Sequence, residues 1–74
     1  MNVEEYTKEK LWEILVETVH ALTLYTNHKV YVKERILPDK AEIEASELAV
    51  RMNMPLGEAL VVLYELQNER KPQQ

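Results

Sequence analysis

From about Val3 to Tyr25 no glycine or proline interrupts the chain, and apolar residues recur at helical spacing. At about 100° per residue, Leu11, Leu15, Val19 and Leu22 fall on one stripe. Ile14, Ala21 and Tyr25 widen it on one side, and Trp12 and Val16 on the other. Lys10, Glu13, Glu17 and His20 share what remains. This pattern predicts one long helix within residues 1–27. Two starts compete. Asn2 and Glu5 form a capping-box pattern in which Met1 could staple to Tyr6, whereas Thr7 could cap with Tyr6 stapling to Leu11. The apolar arc covers more than half of the helix, which is wider than one small core requires. With 74 residues the chain has room for one domain and buries a small fraction of its surface. Leu11, Trp12, Leu15 and Val19 are therefore expected at a homodimer seam. Trp12 could be an exposed recognition residue, but the plainer reading has it filling the core or the dimer seam.

Several function classes are poorly served by this composition. There is no cysteine, so neither a disulfide nor a thiolate metal site is available. His20 and His28 are eight residues apart with no carboxylate at ligand spacing, and no metal or cofactor is expected. Glu13 and Glu17, one turn apart, read as a solvated helix face, because paired acid catalysis needs a pocket. Gly57 is the only glycine, which leaves no phosphate-cradling loop, and Asp39 is the only aspartate, which leaves no Ser-His-Asp set. The chain reads as a non-enzyme. No apolar run approaches the ~20 residues of a membrane span. Glu4, Glu5 and Glu9 interrupt the start in a way no signal peptide would. A cytoplasmic or nucleoid-associated protein is the expectation.

Charge is segregated along the chain. Residues 1–27 carry net −3, residues 28–40 net +2 and residues 41–74 net −3. Within the middle segment, KVYVKERIL (residues 29–37) alternates Tyr31, Lys33 and Arg35 with Val30, Val32 and Glu34. β-Branched Val30 and Val32 favour a short strand here. Pro38-Asp39-Lys40 is a turn or a helix start. Lys29, Tyr31, Lys33, Arg35 and Lys40 are the candidate nucleic-acid contacts, with Tyr31 stacking or meeting a sugar. The plainer reading is an ordinary solvated segment.

Two further helices follow. Ser46 to Asn53 places Leu48, Ala49 and Met52 on one face. Met54-Pro55 interrupts, and proline suits the first turn of the next helix. From Leu56 to about Glu69 the inward stripe is Ala59, Val62, Leu63 and Leu66. Arg70 and Lys71 complement the helix dipole, Pro72 ends the helix, and Gln73 and Gln74 fray.

The stretch ASELAVRMNMPLGEALVVLYEL (residues 45–66) resembles the helix-turn-helix of small winged-helix regulators. Ala49 stands at that family's small residue, and Asn53 at the turn that needs a left-handed backbone. Leu48, Met52, Met54, Ala59 and Val62 stand at its apolar positions. The resemblance implies Glu42-Ile43-Glu44 as a short strand before the motif, and a DNA-associated regulator. After Leu66 only eight residues remain, too few for a wing. A recognition helix points polar or basic side chains into the major groove. Here the matching outward positions are Leu56, Gly57, Leu60, Val61 and Tyr64, with Glu58 and Glu65 nearby. Leu60, Val61 and Tyr64 suit a protein surface instead. The chain is also similar to ribbon-helix-helix proteins, with residues 29–37 as the DNA-reading strand and Pro38 opening a helix. The expected fold is mainly α: a long N-terminal helix, a short β segment, then a helix-turn-helix at residues 45–69. The first functional expectation is a homodimeric DNA-associated regulator. The second is a protein-interaction module that docks partners through the helix-turn-helix.

Overall fold

The computed structural model describes residues 8–70, without the side chain of Arg70. The caps expected at Asn2 and Thr7, the staples from Met1 and Tyr6, and the readings of Lys71 to Gln74 lie outside the described residues. Among the described residues four helices follow one another: α1 (Lys8–His20), α2 (Tyr25–Tyr31), α3 (Ala45–Met52) and α4 (Leu56–Arg70). A π-helical turn, Val32–Ile36, continues α2 without a break. No strand occurs among the described residues. No helix is long and apolar enough to cross a membrane, again among the described residues.

The long N-terminal helix expected within residues 1–27 stops at His20. Tight backbone bonds close it, Ala21 N–H to Thr18 O at 3.2 Å and Leu22 N–H to Val19 O at 3.0 Å. The geometry gives a reason that needs no glycine or proline. On one straight helix Val19 and Tyr25 would point about 120° apart. Val19 is buried, and Tyr25 packs on the core and bonds to α4. The turn at residues 21–24 lets both side chains reach inward.

The strand expected over residues 29–37 is helical. Alternation would put Val30 and Val32 on one face, yet Val30 is 47% exposed and Val32 is 0% exposed. Val32 and Ile36, four residues apart, both enter the core. Their burial outweighs the few tenths of a kcal/mol by which β-branching disfavours a helix. A lone strand would also leave its backbone groups without ladder partners. The π turn is closed by Leu37 N–H to Val32 O at 2.9 Å, which spans one residue more than an α-turn. That extra residue brings Leu37 into the same core. Pro38 to Lys40 form a turn capped on Ile36 O. Glu42-Ile43-Glu44 is not a strand either. Glu44 is extended (φ −83°, ψ 154°) and caps α3, while Ile43 fills the core.

α3 ends on Asn53 in the left-handed region (φ 53°, ψ 49°), the only positive-φ residue among those described. Met54 N–H reaches Ala49 O at 3.0 Å and Asn53 N–H reaches Val50 O at 3.3 Å, which is a Schellman closure. Met54 is thereby buried, and Pro55 O accepts the first bond of α4 from Ala59 N–H. α4 is the axis of the fold and contacts α1, α2 and α3. Its Ala59, Val62, Leu63 and Leu66 meet Leu48, Val32, Ile36 and Ile43 in one core.

Candidate protein-docking groove

α4 divides its surroundings into three zones. One side packs the core against α2 and α3, a second carries carboxylates to α1 and α2, and the third faces solvent. On the solvent face Leu56, Leu60 and Tyr64 are 52%, 41% and 50% exposed. Their spacing of four residues places them in one line over about 12 Å. Trp12 of α1 walls this line on one side, its indole edge-on to the Tyr64 ring at 5.0 Å and 70°. The residues leading into α3, Ile43 to Ala45, wall the other. The resulting cleft is ≈ 380 Å³, with Leu60 and Tyr64 on its floor. A second cleft of ≈ 480 Å³ lies on the α1 side of the aromatic pair, lined by Lys8, Glu9, Trp12, Glu13 and Tyr64. Trp12 and Tyr64 line both, so the two clefts adjoin across the aromatic pair and together are termed the groove.

The interaction residues expected from the sequence are partly united here. Trp12, Leu60 and Tyr64 meet. Val61, expected to face outward, is 0% exposed because it lies on the side of α4 that packs inside the chain. Val19, expected at a seam between chains, is buried within this one. Leu15 is half-buried against Gly57, where a Cβ would meet its Cδ1 at 2.9 Å. The missing side chain at Gly57 therefore sets how closely α1 can approach α4. Much of the wide arc of α1 is used up in this intrachain contact, and Leu11 and Ile14 remain exposed.

The polar zone of α4 was not legible as a site. Glu58, expected near the outer face, is 3% exposed, and its Oε2 lies 2.6 Å from His28 Nδ1. Glu65 accepts a hydrogen bond from the Tyr25 hydroxyl and lies 2.7 Å from His20 Nε2. Lys29 Nζ sits 2.5 Å from Glu69 and 3.6 Å from Glu65. Burial, reinforced by the Glu65 carboxylate, pushes the Tyr25 hydroxyl up to about 12. The hydrogen bond to Glu69 raises Lys29 against the opposing effect of burial. Burial pushes Glu65 upward, but the bonds from Tyr25 and His20 and the nearby Lys29 outweigh it and hold the carboxyl below its ordinary value. A signal for this zone was present: Tyr25, His28 and Lys29 share a face only if residues 25–36 are helical, and Glu58, Glu65 and Glu69 recur at helical spacing. Among the described residues no three histidines or carboxylates gather at metal-binding distance.

The candidate nucleic-acid residues are scattered by the same change. Lys29 is tied to α4, and Lys40 Nζ to Glu47 at 2.7 and 2.8 Å. Tyr31, Lys33 and Arg35 are exposed on a helical segment, where the alternation that would align them on a strand no longer holds. Lys33 shares a cleft with Glu69. Two of the four cations concentrated in sequence, Lys29 and Lys40, are thus paired in space with α4 and α3. No family model matches the chain, and no curated protein or solved structure does either.

Proposed function

We propose that this protein is a non-enzymatic protein-interaction module that accepts a helical segment of a partner protein in the groove over α4. The observation that carries this reading is the exposed pair Leu60 and Tyr64 between Trp12 and the 43–45 segment, with exposed Leu56 one turn before Leu60 on α4. Apolar side chains in a groove between helices suit the apolar face of an amphipathic helix. No sheet edge is available among the described residues for a partner strand to extend. The aromatic pair supplies the large rigid anchors that dominate binding energy. DNA binding draws less support, because two of its four candidate cations are engaged within the chain.

Trp12 is the only tryptophan, so its emission reports directly on the groove. Titration with tryptophan-free amphipathic helical peptides should shift that emission, and Leu60→Asp should abolish the shift without changing the far-UV spectrum. Salt-dependent binding of duplex DNA that survives Leu60→Asp and disappears in Lys33→Ala/Arg35→Ala would overturn the reading in favour of a nucleic-acid role.

A further inference from the structure

We propose that the groove selects a cationic amphipathic helix, one that carries lysine or arginine on both flanks of its apolar face. This inference rests on the groove as a helix-docking site and adds the chemistry of its partner. Among the described residues four charged side chains line the two clefts: Lys8, Glu9, Glu13 and Glu44. Three are acidic: Glu9 and Glu13 of α1 line the cleft on the α1 side of the aromatic pair, and Glu44, before α3, lines the cleft over Leu60. None of these three carboxylates makes an ion pair among the described residues. The contrast with the opposite side of α4 is informative. There Glu58, Glu65 and Glu69 each hold a histidine or lysine of the same chain. The carboxylates that flank the exposed apolar line are among those left without an ion-pair partner within the described residues.

An apolar helix face laid over these clefts brings its own flanks against their carboxylates. Lysine or arginine there gains attraction, whereas glutamate meets like charge. Complementarity of this kind sets partner choice and association rate more than total affinity. A second copy of this chain docking groove to groove would set Glu9, Glu13 and Glu44 against their equivalents, so the occupant is a different helix. Exposed ion pairs contribute about 0.2–1 kcal/mol each, or roughly 1.4- to 5-fold in affinity. Two or three such pairs, with the repulsion they replace, give about tenfold discrimination at low salt.

The test uses the full chain and two tryptophan-free helical peptides with one shared leucine stripe, flanked by lysine in the first and by glutamate in the second. Trp12 emission and sedimentation are read together. The lysine peptide should bind about tenfold more tightly in 10 mM salt. The gap should close in 1 M salt, where screening acts within about 3 Å. Glu9→Gln/Glu13→Gln/Glu44→Gln should remove the preference and retain binding. Equal binding of both peptides would overturn charge selection and leave the groove reading standing. Failure of both peptides to bind a natively folded chain would overturn the two together. A mass that rises with protein concentration and is lost in Leu60→Asp would make the occupant a second copy and overturn the proposal.

Discussion

Replacing His28 by alanine should damage the fold more than removing the carboxylate it faces. Glu58 lies in the first turn of α4 with its side chain 3% exposed, and His28 at 2.6 Å is 21% exposed. His28→Ala leaves that carboxylate buried without its partner. Breaking a buried pair from one side costs ~3–5 kcal/mol. The opening left by the imidazole admits some water, which puts the cost near the lower end, at about 3 kcal/mol. A domain of this length holds about 4–11 kcal/mol in total, so the loss is a large share. It corresponds to a fall in Tm of about 12–24 °C. Glu58→Ala removes the charge together with its desolvation and should cost only about 1.5–3 kcal/mol. Combining the two should recover part of the His28→Ala loss, because the stranded charge is gone. Urea denaturation at pH 7, followed by helical circular dichroism, gives each ΔΔG provided that m is unchanged. If Glu58→Ala proves as costly as His28→Ala, or the double variant is worse than either, the carboxylate is not confined as described.

Four other outcomes follow from the same geometry. Tyr25 is raised to about 12 from 10.0, so its contribution to stability is present below pH 10 and is lost between pH 10 and 12. Lys29, also raised, acts in the same direction, and Tyr25→Phe should flatten the fall in urea midpoint over that range. Glu65 is lowered, so its contribution is lost as pH falls below the carboxylate range, and Glu65→Gln should flatten that acid limb. Gly57→Ala should change stability by less than about 1 kcal/mol, because helix propensity offsets a shift of the flexible Leu15 tip. Gly57→Leu should cost about 1–3 kcal/mol by forcing α1 from α4, read by thermal melting. Asn53→Val should cost about 1–2 kcal/mol at its left-handed backbone, while Asn53→Gly should be neutral or stabilising.

Periodicity marked the helical core well where one period dominated. The inward residues of α4 (Ala59, Val62, Leu63 and Leu66) are all buried, as is Leu48 of α3. Asn53 was legible because few residues other than glycine tolerate its conformation. The failures have physical causes. Residues 29–37 alternate too briefly for a strand to be told from a helix, and burial of Val32 and Ile36 decided between them. The end of α1 at His20 carries no local breaker, since it reflects where Val19 and Tyr25 must point. Val61 was misplaced because α4 is packed from three directions, so its exposed stripe is narrower than a two-sided helix would show.

Charge shows most clearly why linear segregation is a poor guide to a site. The middle segment carries net +2, but helix formation turns Lys29 toward Glu65 and Glu69, and the turn at residues 38–40 brings Lys40 to Glu47. Acids distant in sequence become the nearest counter-charges, and the basic patch disperses. The same fold leaves Glu9, Glu13 and Glu44 beside the apolar line without an ion-pair partner among the described residues. A surface is defined by the charges that remain after intrachain pairing, not by those that cluster in sequence. By that measure the face over α4 is apolar and acid-walled, a poor match for phosphate and a good one for a basic helix.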